Sequence, residues 1–301
     1  MPHIRPATLK KGDKVCVLST ARKVSEQEIL PAVQVLKSWG LEVTFGQNLF
    51  SESHQFAGSD TQRVSDLQQA LDDTSLAAIF CARGGYGTPR IIDFVNWTGF
   101  LKTPKWVVGF SDVCALLAAI QNLGVCALHA PMPLFFARPE YQPSVIALKD
   151  CLFGEKSRLQ APPHPFNKIG TTQGVMVGGN LSMVVNSIGT STHFDTIGKI
   201  LFLEDIDEYL YHIDRMMVHL KRAGILGKIA GLVVGHFTDM KDNAIPFGEN
   251  AYEIICRNIA AFDIPVAFGF EIGHAPQNLP VVVGQSYLFI VDETGARLDF
   301  L

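Results

Sequence analysis

The chain alternates between short, continuous apolar runs and stretches with helical spacing. Leu76–Cys81, Trp106–Phe110 and Val125–His129 are continuous apolar runs of strand length, the pattern of strands buried on both sides, and Lys14–Ser19 is a further strand candidate. Leu41–Phe45 alternates as a shorter strand. Between these, Glu26–Trp39 carries Ile29, Val33 and Leu36 on one stripe and stops at Gly40, Arg63–Leu71 is helical, and Asp112–Leu123 fills the gap between the last two runs. Strand–helix alternation predicts a parallel sheet with helices on both faces. Pro162, Pro163 and Pro165 interrupt the pattern, and 154–170 reads as a linker. Beyond it the pattern is mixed. Strands are expected at Thr172–Val177, Lys199–Glu204 and Ile229–Gly235, helices at Tyr209–Ala223 and Glu249–Phe262, and two short strands, Val281–Val283 and Tyr287–Val291, on either side of Gly284. The expected organisation is a domain over 1–153, the linker 154–170, and a second domain over 171–301.

Composition narrows the function classes. The 301 residues are 48% hydrophobic and 18% charged, which excludes disorder and suits about two domains of ~100–200 residues. A net charge of -4 without a basic run argues against non-specific nucleic-acid binding. No stretch reaches the ~18 apolar residues of a membrane span, and the first residues lack the apolar core of a signal peptide; a cytoplasmic location is expected. Cys16, Cys81, Cys114, Cys126, Cys151 and Cys256 form no C-x-x-C and no zinc-type pairing. They read as small buried hydrophobes in a reducing compartment. No metal and no cofactor is expected.

Chemistry in an open parallel sheet collects at the carboxyl ends of its strands. Two loops qualify. After Cys81 comes Ala82-Arg83-Gly84-Gly85-Tyr86-Gly87, whose glycines admit a ligand close to backbone N–H groups but lack the residues of a P-loop. It reads either as a cradle or oxyanion hole or as a tight turn. After Phe110 comes Ser111-Asp112, opening a helix. A serine there is either a helix cap or an exposed nucleophile on a sharp strand-to-helix turn. A nucleophilic serine needs a base and an orienting group. Glu204 ends an apolar strand, and His274 lies in a loop between Pro265 and Pro280. His129, after a buried strand and before Pro131, reads as structural; His212 and His219 form no H-E-x-x-H, and His3, His54 and His164 read as surface positions.

These fragments together resemble the LD-carboxypeptidase family of serine peptidases, which includes muramoyltetrapeptide carboxypeptidases and microcin C immunity peptidases. The resemblance covers nearly the whole chain: A-R-G-G-Y-G at 82–87, G-F-S-D at 109–112, V-G-G-N-L at 177–181, L-F-L-E-D at 201–205, I-D-R at 213–215 and G-H-A-P-Q-N-L-P at 273–280. It implies a flavodoxin-like N-terminal α/β domain carrying the serine and a smaller, β-rich α+β C-terminal domain carrying the acid and the base. It implies Ser111 as nucleophile, His274 as general base and Glu204 as its orienting acid, with an oxyanion hole from the backbone N–H groups of Gly85 and Asp112. The chain departs from the family's usual pattern after Glu208 and at Ala275, departures that can alter the substrate pocket the resemblance implies.

On that resemblance the expected reaction is hydrolysis of the amide between an L-centre and a C-terminal D-amino acid in a cell-wall tetrapeptide, through an acyl-enzyme. A carboxypeptidase must read a terminal carboxylate, and Arg83 and Arg215 are candidates because a guanidinium grips a carboxylate bidentately. The expected partners are a small peptide or muropeptide substrate and a second copy of the chain in a homodimer, with no nucleic acid and no membrane. Two other readings stand beside this one: a microcin-type immunity peptidase acting on peptidyl-nucleotides, and a non-catalytic two-lobed small-molecule binding protein in which Ser111 only caps its helix.

Overall fold

The computed structural model describes residues 3–155 and 158–301. In the first half the apolar runs become β1 (Lys14–Leu18), β2 (Glu42–Phe45), β3 (Leu76–Cys81), β4 (Trp106–Gly109) and β5 (Ala127–His129). They are connected through α1 (Glu26–Ser38), α2 (Asp60–Asp72), the short α3 (Thr98–Lys102) and α4 (Cys114–Asn122). The five strands are parallel in the order β2-β1-β3-β4-β5, a flavodoxin-like winding that reverses direction between β1 and β3. Ser25 and Ser59 start α1 and α2 with reciprocal capping boxes to Glu28 and Gln62. Period-two alternation sorts the core: Val15 and Val17 face α1 and α5 (Gln142–Leu152), whereas Cys16 and Leu18 face α2 and α4.

The second half contributes β6 (Leu159–Ala161), β7 (Gly170–Asn180), α6 (Leu181–Ser187), β8 (Ile200–Ile206), α7 (Leu210–Arg222), β9 (Gly231–Thr238), α8 (Ala251–Ile259), β10 (Val266–Phe268), β11 (Val281–Val283), β12 (Ser286–Asp292) and β13 (Gly295–Phe300). Seven of these strands form a mixed sheet in the order β10-β9-β8-β7-β12-β13-β6. Its β7–β10 part is parallel, and β12, β13 and β6 are antiparallel.

The two short strands around Gly284 do not stay together. β11 leaves its own half and pairs antiparallel with β5, Val281 opposite His129, whereas β12 joins the second sheet. Gly284, at φ 86, makes the break. An all-valine run buried on both faces gains more between two covered faces than in a solvated hairpin. Within 154–170, residues 156 and 157 lie outside the described residues, while Leu159–Ala161 is the edge strand beside β13. The helix expected from Asp112 opens instead as a 3₁₀ turn, Ser111–Val113, before α4 begins. α3, α5, α6, β6, β10 and β13 are not singled out by the sequence pattern.

The same alternation aims the second sheet at the first. Ile200 and Phe202 of β8 join the apolar cluster that contains Leu116 and Ile120 of α4, while Leu201 and Leu203 face the helices of their own half. Glu204 continues the Ile200–Phe202 face and so points toward the first half; Asp205 points away from it. Among the described residues no helix is long and apolar enough to cross a membrane, and no cluster of three His, Cys, Asp or Glu side chains could hold a metal. All six cysteines are free; Cys256 is partly exposed and the others are buried.

The approach of β7 to β8 depends on Gly178. Its φ is 123, and a Cβ there would lie 2.1 Å from the Phe202 carbonyl oxygen. Gly178→Ala is expected to lower the unfolding free energy by ~1–3 kcal/mol or more, read as a lower urea midpoint at constant slope. An unchanged midpoint would contradict this close approach.

Candidate active site

Ser111 sits where β4 turns into the 3₁₀ segment, at φ 63. A left-handed conformation at a residue with a Cβ is strained by ~1–3 kcal/mol and persists only where its surroundings impose it. Here two glycines make room. A Cβ at Gly109 would lie 2.5 Å from Val113 Cγ1, and one at Gly84 would lie 3.1 Å from Ser111 Cβ and 3.3 Å from its Oγ. The hydroxyl caps no helix: Phe110 holds the N-cap position and the turn has no side-chain cap. A plain capping role for Ser111 is therefore not what the structure contains.

The glycine loop after β3 is fastened to this turn. Asp112 is buried, and its Oδ2 accepts from the Thr88 N–H at 2.8 Å. The Thr88 hydroxyl in turn shares a 2.8 Å hydrogen bond with that of Thr20, after β1. Burial raises the Asp112 pKa against the pull of these bonds. Gly85 has φ 110, and the stem of Arg22 lies where its Cβ would be. Among the described residues, the N–H groups of Gly85 and Asp112 donate to no protein acceptor.

Glu204, two residues before the end of β8, is fully buried and accepts from His274 Nδ1 through Oε2 at 2.7 Å. Gly273 permits this: a Cβ there would lie 2.6 Å from Glu204 Oε2. Burial alone would raise the Glu204 pKa, but the His274 charge, the His274 hydrogen bond and the nearby His129 imidazole outweigh it and bring it down to about 2. Burial likewise opposes charge on His274, and the Glu204 carboxylate overrides it, so the imidazole titrates above its ordinary value. Asp205, next on the strand, is pushed up to about 6 by burial and by Glu204. It accepts from Asn180 Nδ2 and from the N–H and hydroxyl of Ser182, away from His274.

The imidazole lies against the residue before Ser111, with 4.7 Å between the His274 and Phe110 ring centroids. No hydrogen bond joins Ser111 to His274; in unliganded hydrolases this bond is often long and closes with substrate. The loop carrying His274 is held from both halves. Asn278 Oδ1 accepts from the Gly273 N–H at 3.0 Å, and Thr238 donates to the His274 carbonyl at 3.3 Å. Ser144, on α5 of the first half, accepts from the Asn278 N–H at 2.8 Å and donates to the Pro276 carbonyl at 3.0 Å.

The two candidate arginines differ. Arg83 is half-buried in the glycine loop, lining a cavity of about 230 Å³ with Arg22, Ser25 and Glu28. Its pKa is lowered by burial and by the neighbouring Arg22, with Arg138 adding to the effect. The nearby Glu28 is already engaged by the Ser25 N–H and hydroxyl. Arg215 stands on the exposed side of α7 over the Tyr211 ring, in a cavity otherwise lined by Val218, His219, Arg222 and Ala223. His129, read from the sequence as structural, is fully buried, with Nε2 3.5 Å from Glu204 Oε1. Its place at the carboxyl end of β5, beside the β4 end that carries Ser111, is the signal that would have marked it.

The sequence matches the LD-carboxypeptidase N-terminal domain over residues 15–130 and the LD-carboxypeptidase C-terminal domain over residues 173–288. The chain belongs to the LD-carboxypeptidase family. The enzyme is a serine-type peptidase of that family, which sets the non-catalytic binding protein aside. A probable murein peptide carboxypeptidase of Bacillus subtilis (strain 168) is 34% identical over 94% of this chain and 90% of its own. The crystal structure of muramoyltetrapeptide carboxypeptidase from Oxalobacter formigenes superposes with a TM-score of 0.87 at 26% identity, covering 95% of this chain and 98% of that one. MccF in complex with glutamyl sulfamoyl guanosine shares the fold at TM-score 0.86 and 18% identity, over 98% of each chain.

Ser144 gives the enzyme a test of how the two halves are joined. Ser144→Ala leaves the Asn278 N–H and the Pro276 carbonyl without their partner, at a cost of ~1–3 kcal/mol for such buried groups. Because a misplacement of ~1 Å can cost ~10²-fold in rate, kcat is expected to fall more than tenfold. A variant with wild-type kcat would show that the His274 loop is held by other contacts.

Proposed function

We propose that the enzyme releases the C-terminal D-amino acid of murein tetrapeptides through a Ser111–His274–Glu204 triad. The observation that carries this reading is the buried 2.7 Å Glu204–His274 pair set beside a serine held at φ 63. Ser111 Oγ attacks the carbonyl carbon of the amide linking the L-centre to the D-residue while its proton passes to His274 Nε2. The oxyanion is received by the N–H groups of Gly85 and Asp112, each such donor being worth ~2.7–4 kcal/mol in a comparable hydrolase. Collapse breaks the C–N bond, and His274 returns the proton to the departing amine. Water, deprotonated by the same imidazole, then cleaves the ester and regenerates the serine. Glu204 holds the tautomer that leaves Nε2 free and stabilises the imidazolium.

Arg83 is the better placed carboxylate reader. A half-buried guanidinium facing other guanidiniums is stabilised by an incoming anion, and Arg83 adjoins Gly84, which packs against Ser111, whereas Arg215 stands on the exposed side of α7. Arg83→Ala should lose ~10–100-fold in kcat/KM on the free-acid peptide, as expected for one charge-assisted hydrogen bond. It should lose little on the same peptide as a C-terminal amide, and Arg215→Ala should change neither. Equal losses on acid and amide would remove Arg83 from this role.

Ser111→Ala and His274→Ala should each lower kcat by ~10⁴–10⁶-fold and Glu204→Gln by ~10⁴-fold, without adding in combination. The assay is mass-spectrometric release of the D-residue from a muropeptide tetrapeptide, run beside a peptidyl-nucleotide. Faster cleavage of the nucleotide conjugate would reassign the substrate while leaving the triad in place. Additive losses would contradict a triad. Since the base must be neutral and its pKa is raised above the ordinary 6.5, kcat/KM should fall as pH drops through a value above 6.5. EDTA should leave the rate unchanged.

A further inference from the structure

His129 is the one completely buried imidazole beside the site that the mechanism leaves without a task. It ends β5, and its ring is wedged edge-on between Phe110 and Phe202, with centroids 5.7 and 5.1 Å away. Gly179 closes the third side, where a Cβ would lie 3.8 Å from His129 Cδ2. The ring is fixed by packing and Nε2 faces Glu204 Oε1 at 3.5 Å. Among the described residues Nε2, Nδ1 and Oε1 have no hydrogen-bond partner, and at 3.5 Å each of Nε2 and Oε1 is the unpaired polar atom facing the other. A buried carboxylate oxygen without a donor is costly. The other ionisable groups around it are already turned elsewhere or are poor donors. His274 occupies Oε2, Asp205 faces Asn180 and Ser182, and Asp112 is bonded to Thr88. The Cys114 thiol, on α4, accepts from the Asn180 N–H.

Resting on the triad reading above, we propose that His129 is a positioning residue for catalysis, donating Nε2–H to Oε1 so that Glu204 is held between two histidines and keeps Oε2 for His274. The arrangement has a definite electrostatic consequence. With His274 neutral, the Glu204–His274 pair carries one negative charge, and it carries none once protonated. A donor on Oε1 stabilises the charged form and thereby keeps the base available at lower pH. Removing the donor raises the pKa of the pair. It also frees the carboxylate to rotate and take Oε2 away from His274. A ring that merely filled space would do neither.

The experiment compares His129→Leu, which keeps bulk without a donor, with His129→Gln, whose side-chain NH₂ can reach the same oxygen. In His129→Leu the acid limb of kcat/KM should move up by about one pH unit or more, and kcat at the optimum should fall by about tenfold or more. In His129→Gln the limb should return to within a few tenths of the wild type. On a Ser111→Ala background, where turnover plays no part, NMR titration of His274 should move up in the same way with His129→Leu and stay within a few tenths of the parent with His129→Gln. In the wild type, ¹⁵N shifts should place a proton on His129 Nε2; this measurement stands even if His129→Leu does not fold. An unmoved limb and an unmoved His274 titration in a folded His129→Leu, or a wild-type His129 with Nε2 unprotonated, would overturn the proposal. If the His274 titration moves but Ser111→Ala retains activity, the contact stands while the triad, and with it any catalytic role for His129, falls.

Discussion

A carboxylate with no access to water has to find its compensation in fixed neighbours, and Glu204 is such a carboxylate. Its two oxygens look toward His274 and His129, which reach it from opposite halves of the chain. Much of the surrounding architecture serves this requirement. β8 places Glu204 on the face that meets the first half, Gly273 lets the imidazole loop come within contact of the carboxylate, and the end of β5 brings the second imidazole to the other oxygen. Asp205, one position along, would be a second charge in the same space. The alternation of the strand turns it away, into the hydrogen bonds at the start of α6.

The strained turn at Ser111 is the counterpart on the first sheet. Its cost is offset by packing that could not accommodate another geometry: Gly109 and Gly84 leave no room for side chains, and Asp112 locks the turn to the glycine loop through Thr88. Preorganisation of this kind fixes where the hydroxyl and the free N–H groups sit before a substrate arrives, and it spares reorganisation at the moment of reaction. The serine–histidine link alone is left open, at the junction of the two halves.

That junction is unusually well fastened for two parts of one chain. A single apolar cluster runs from Leu116 and Ile120 of α4 to Ile200, Phe202 and Phe289 of the second sheet. β11 is built from the second half yet completes the first sheet, and Ser144 reaches across to the loop of His274. The hydrophobic contact makes docking favourable, whereas the directional bonds from Ser144 and Asn278 set its register.

Most elements were legible in the sequence because a strand covered on both sides, such as Leu76–Cys81, and an amphipathic helix, such as Glu26–Ser38, carry their burial in their own periodicity. The candidate triad was also legible, since Ser111, Glu204 and His274 lie in motifs whose order and spacing are distinctive. Short elements such as Leu159–Ala161 and Val266–Phe268 carry too few residues to show a period, and the separation of Val281–Val283 from Ser286–Asp292 depends on which sheet has an open edge. The role of Ser111 as something other than a cap was decided only by its φ and by the absence of a capped N–H. Ser144 gave no local signal, and His129 only its place at a strand end, because what distinguishes them is a neighbour 134 or 75 residues away in sequence (Asn278 and Glu204). Periodicity and motif content are properties of a segment, and they determined most of the elements and, through the family resemblance, the candidate residues. Which buried oxygen meets which buried nitrogen is a property of how segments pack, and only the tertiary structure decided it.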